Sequence, residues 1–205
     1  MWLRHRDAEP SIDPSAYVAP SAVLSGDVRI GPDSRVLHGA VLSADGGAVT
    51  IGASCVIMEQ AVLRGTPAHP VAVGAHVLVG PHAYLTGCEI ADEVFIATGA
   101  MIFNGARMGR ASRVGLGGAV HIGAQVADDV LIPIGWIAIG DPARLYPPGD
   151  AEPILAGLNE RGGFLPYVFG VEDTGDRGAM MRTAMRRYTR SLGRHRDDVE
   201  IAPPG

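Results

Sequence analysis

The residues of this chain best equipped for chemistry cluster between Glu59 and Thr86. Arg64 carries a fixed positive charge, and its five N–H donors match a carboxylate or a phosphate. Glu59 and His82 are groups that can give or take a proton near neutral pH, and Tyr84 and Thr86 add hydroxyls. The expected chemistry is an anionic small molecule held on Arg64 and Thr86, with His82, Glu59 and Tyr84 as the catalytic candidates. In the alternative, an Arg64–Glu59 ion pair fills the same place.

These residues lie in a repeat. Hexads begin at Ile12, Val18, Leu24, Ile30 and Val36, resume at Ile51, Ile57 and Leu63, and again at Val73, Val79 and Leu85. A one-residue deletion resets the phase at Ile90, from which it runs on to Ile132. The first place is aliphatic and the fifth is small, as at Ala22, Ser34, Cys55, Ala83 and Ala106. No ordinary helix or strand keeps a period of six. Each hexad supplies one short strand and one corner of a triangular prism, and stacked coils pair their backbones. The expected fold is therefore an all-β solenoid. Composition agrees: hydrophobic residues are 47% of the 205, yet aromatics are only 5%, so the core must be small and aliphatic.

The division read from the sequence is an N-terminal segment 1–11, a β-helix 12–147 and a C-terminal helical region with a tail, 148–205. Loops at 43–48 (SADGGA) and 65–72 (GTPAHPVA) break the period with Gly and Pro, and His69 lies in the second. A short helix is expected over Glu152–Arg161, with Ile154, Leu155 and Leu158 inward. FLPYVFG (164–170) reads as a link, and RDDVEIAPPG at the end as a loose tail. A longer helix is expected from Arg177 to Leu192, with Met181, Met185, Tyr188 and Leu192 along one face. Its arginines read as a solvated face, and the formal charge of −5 argues against a nucleic-acid partner.

Cys55 and Cys88 form no CxxC and no disulfide framework, so buried thiols are expected. No apolar run reaches membrane-span or signal-peptide length. A cytoplasmic protein without a membrane partner is expected.

Leu24 to Pro147 resembles the γ-class carbonic anhydrases, on the coil spacing, the loop after the fifth hexad, the Gly87-Cys88 pair and the IAIGDPARLYPPGD exit turn. The resemblance implies a left-handed parallel β-helix and a homotrimer. In that family three histidines hold zinc between subunits. Their positions here carry Arg64 (in Leu63-Arg64), Pro81 (in Val79-Gly80-Pro81) and Thr86 (in Leu85-Thr86-Gly87-Cys88). The family's Arg-Gly-Asp triplet is Ser43-Ala44-Asp45, which keeps the acid, and its polar Asn, Gln and Asp correspond to Val56, Met58 and Glu59. The implied site lacks a metal and needs no cofactor. Asp45 and His69 join Arg64 and Thr86 as substrate-binding candidates, and His69 and His82 could approach across a subunit interface. Three functional readings follow: a metal-independent enzyme acting on an anionic small molecule in the interface cleft, a structural or assembly protein, and an acyltransferase or thioesterase using His82 or His121.

Overall fold

A computed structural model describes residues 1–159 and 162–202. Strands of two to four residues stack into three sheets, which form the faces of a left-handed parallel β-helix. The chain visits the faces in turn. Val23–Ser25, Val41–Ala44, Val62–Gly65 and Tyr84–Thr86 lie on the first face, paired in parallel. Val28–Ile30, Val49–Ile51 and Val71–Val73 lie on the second. Arg35–Val36, Val56–Ile57 and Leu78–Val79 lie on the third.

The aliphatic hexad positions fill the prism. Leu24, Leu42, Leu63, Leu85, Ile102 and Val120 line the inside of the first face at 0% exposure. Their counterparts on the other faces, such as Ile51, Ile90, Ile57 and Ile96, are equally enclosed. Both cysteines are buried and free, and burial pushes the Cys55 and Cys88 thiols up, so both stay protonated at neutral pH.

The two loops protrude less than expected. Ser43 and Ala44 continue one strand and Gly65 its neighbour, with Gly65 paired to Ala44. The turns that remain stack at one corner. A Cβ at Gly65 would meet the Gly47 carbonyl oxygen at 2.1 Å and that of Ala48 at 2.6 Å, both backbone atoms that cannot step aside. Gly65→Ala is therefore expected to destabilise the fold by about 1–3 kcal/mol, the usual range for forcing an atom into a packed place. A urea titration checks it, and an unchanged midpoint would show that the corner is slack.

The ends depart from the sequence reading. The segment 1–11 is part of the solenoid, because Trp2–Arg4 pairs in parallel with Val23–Ser25. The tail is not loose over its described part. Val199–Ile201 pairs antiparallel with Trp2–Arg4 and caps the first face. Open edges of a parallel sheet leave unpaired N–H and C=O groups, and this strand satisfies them. At the other end Arg144–Tyr146 pairs antiparallel with Ile137–Ile139.

Among the described residues three α-helices follow the solenoid, α1 (Ala151–Asn159), α2 (Phe164–Phe169) and α3 (Arg177–Leu192), and a 3-10 turn, Gly193–Asp197, continues the last. Glu160 and Arg161, expected to end the first, lie outside the described residues. Leu155 is exposed, and Gly157 instead sits buried against Ile139. The expected link FLPYVFG is α2, stopped by Gly170 in the left-handed region at φ 60°. Asp176 caps α3 by accepting from the Ala179 N–H at 3.0 Å. Its buried residues are Met180 and Ala184, with Met185 partly buried, whereas Met181 faces solvent. Of the expected face, Met185, Tyr188 and Leu192 are half-buried and only Met181 is not, so the face is shifted by less than one residue toward Met180 and Ala184. The cause is α2, whose Leu165 and Phe169 pack with Val171 against that side.

Candidate functional site

On the outside of the first face, one register row carries Ser25, Ser43, Arg64 and Thr86 on successive strands. Side chains alternate along a strand, so these residues point away from the prism while Leu24, Leu42, Leu63 and Leu85 point in. Yet Ser25, Ser43 and Thr86 are buried, as is Asp45. The residues past the solenoid cover them. Arg64 Nη1 donates to the Tyr188 hydroxyl of α3 at 2.7 Å.

Between the first face and α2–α3 lies a cavity of about 310 Å³. Its polar end holds Arg64, Thr86, Asp45, Asn104 and Arg187. Its apolar end is aromatic. Tyr84, Phe103, Phe164, Phe169 and Tyr188 follow one another with ring centroids 5.4 to 6.4 Å apart. The Arg64 Nε is buried without a hydrogen-bond partner. No ion pair joins Arg64 to Glu59, and Tyr188 takes that place. Asp45 has polar neighbours of its own, with Arg6 Nη2 4.0 Å and His195 Nε2 3.5 Å from its Oδ1.

The structure thus brings together Arg64, Thr86, Tyr84 and Asp45 of the residues singled out in the sequence. Glu59 and His82 stand elsewhere within one chain. They sit on the corner between the third and first faces, where the His82 backbone N–H donates to the Glu59 carbonyl at 3.0 Å. The His82 side chain is exposed there. His69 stacks on Tyr167 at 5.6 Å and lines a neighbouring polar pocket with Glu89, Arg107 and Gln125. Phe164, Phe169, Arg187 and Tyr188 were not singled out as site residues. The available signal was FLPYVF, which packs three aromatic residues into six in a chain with 5% aromatics.

A second polar cluster lies beside Asp45. His5 and His195 stack with centroids 4.3 Å apart, and both approach Asp198. Burial pushes the Asp198 carboxyl up, but the hydrogen bonds from His195 and His5 outweigh it and hold the group below its usual range.

No family model matches the sequence. Among curated proteins, the mitochondrial γ carbonic anhydrase 1 of Arabidopsis thaliana is 35% identical over 153 residues, 69% of this chain and 54% of the relative. The chain belongs to the γ-carbonic-anhydrase-like hexapeptide-repeat proteins. Another relative is the carnitine operon protein CaiE of Escherichia coli, 30% identical over 135 residues, 66% of each chain. This γ-carbonic-anhydrase-like chain spans about half the length of the plant relatives it matches. A hexapeptide transferase family protein from Anaplasma phagocytophilum shares the fold with a TM-score of 0.51 at 18% identity, over 93% of this chain and 95% of that one. Among the described residues no helix is long and apolar enough to cross a membrane.

Proposed function

We propose that this γ-carbonic-anhydrase-like chain binds a small anionic molecule with an apolar body in the cavity above Arg64, and that it does so without the family's zinc. One observation carries the reading: the half-buried Arg64, with its Nη1 on Tyr188 and its enclosed Nε unpaired, lines a cavity with one polar and one aromatic end. An unpaired buried donor costs about 1–3 kcal/mol, and a carboxylate or phosphate oxygen would recover it. The aromatic wall suits the rest of such a molecule.

The zinc positions do not fit the ion. Arg64 repels a cation, Pro81 has no donor atom to offer, and Thr86 is a neutral hydroxyl, whereas zinc takes imidazole, thiolate or carboxylate. CO₂ hydration by the zinc-supplemented protein is expected to stay at the buffer rate. A rate rising in proportion to added zinc and lost in Thr86→Ala would overturn this. For the cavity, small carboxylates and organic phosphates are expected to raise the melting temperature where their neutral isosteres do not, since ligands stabilise by mass action. Equal shifts from both would remove the role given to Arg64.

Catalysis in this reading needs more than one chain. Within a chain the proton-transfer groups lining the cavity are Asp45, Tyr84 and Tyr188. His82 and Glu59 act only if a second copy carries its corner to the cavity, as the family's trimer implies. The outer surfaces favour that assembly. The second face shows a polar ladder that includes Arg29, Thr50, Glu89, Arg107 and Gln125. The third shows Tyr17, Arg35, Val56, Leu78, Phe95, Arg113 and Leu131 in one row, and Phe95 and Leu131 are exposed. A mainly apolar ladder, broken only by two arginines, beside a polar one supports these faces as the ones that copies would bury.

A further inference from the structure

We propose that His5, His195 and Asp198 form a binding site for a divalent transition-metal ion, separate from the family's zinc positions. Each of the three offers one ligand atom, and these atoms lie within 4.8 Å of one another. The His5 Nδ1 is 2.5 Å from one Asp198 oxygen, and the His195 Nδ1 is 2.8 Å from the other. The side chains are 1%, 33% and 10% exposed for His5, His195 and Asp198, so the cluster is enclosed but reachable past His195. Two imidazoles and one carboxylate suit zinc, cobalt, nickel or copper rather than magnesium or calcium.

The His195 Nε2 stands 3.5 Å from Asp45 Oδ1. That oxygen is buried without a hydrogen bond, and Arg6 Nη2 lies 4.0 Å from it. Ligation through Nδ1 places the His195 proton on Nε2, where it points at Asp45. A ligating histidine commonly gives its other N–H to a carboxylate, and Asp45 stands where that partner belongs. The rings, now within 18° of parallel, must splay for both nitrogens to reach one ion.

The ligands come from both ends of the chain. His5 follows the strand Trp2–Arg4, and Asp198 precedes Val199–Ile201, its antiparallel partner. His195 follows α3, whose Arg187, Tyr188 and Ser191 line the cavity. A bound ion therefore ties that wall of the cavity to the solenoid.

Cobalt(II) titration of the full chain, made without a histidine tag, tests the site through its visible absorption and by calorimetry. One cobalt per chain is expected, with affinity falling at least about tenfold in His195→Ala and in Asp198→Asn. Circular dichroism melts confirm that each variant is folded, and partly exposed His195 is the safer of the two. His76→Ala, at an exposed histidine outside the cluster, is expected to bind cobalt as the wild type does. No binding by the wild type would overturn the site. Binding unchanged in both folded cluster variants would do the same, and so would binding abolished by His76→Ala alone.

Discussion

Replacing Arg64 with alanine is expected to cost the protein roughly 10- to 100-fold in affinity for a small carboxylate. Hydrogen bonds to charged groups contribute about 1.5–3 kcal/mol, and each 1.4 kcal/mol is a factor of ten. Neutral isosteres should bind the variant and the wild type alike, since the aromatic wall of Phe103, Phe164 and Phe169 is untouched. The fold should survive. Arg64 projects outward from the prism, and the inward Leu63 beside it is the residue that fills the core. Loss of stability with unchanged carboxylate affinity would reassign Arg64 to holding α3 through Tyr188.

The second large effect concerns assembly. Phe95→Asp replaces an exposed ring on the third face, between Leu78 and Arg113, with a charge. Phe95 is 45% exposed in the single chain, so the substitution leaves the interior alone. If copies bury this face, the carboxylate loses its water with only Arg113 beside it, and such a desolvation costs several kcal/mol per interface, more than an imperfect pair returns. Light scattering is expected to find three chains per particle for the wild type and one for Phe95→Asp, with the melt of the separated chain still cooperative. A wild type that is already monomeric, or a variant that keeps its mass, would remove the third face as the contact. It would also strand His82 and Glu59 away from the cavity.

The solenoid was legible in the sequence because its cause is local and repeated. Each hexad states its own inward residue, and Leu24, Ile57, Leu85 and Ile102 are all enclosed as the period requires. The row of Arg64 and Thr86 was legible for the same reason, since strands one coil apart must place these residues side by side. What covers that row was not. Phe164 and Tyr188 reach it through tertiary packing of two helices, which obeys no period in the chain. On α3 only Met181 was misplaced, because Met181 and Met180 are equally apolar and α2 decides between them. The meeting of His5 with Asp198 spans 193 residues and depends on the terminal strands pairing. No spacing rule could have announced it.

The most direct test of the cavity reading is a calorimetric comparison of benzoate with benzamide on the wild-type protein. The two have nearly the same shape and differ in charge. Benzoate binding at least about tenfold tighter is the predicted result, set by one charged hydrogen-bond pair at Arg64. Equal affinities, or tighter binding of benzamide, would contradict the claim that the cavity is built for an anion.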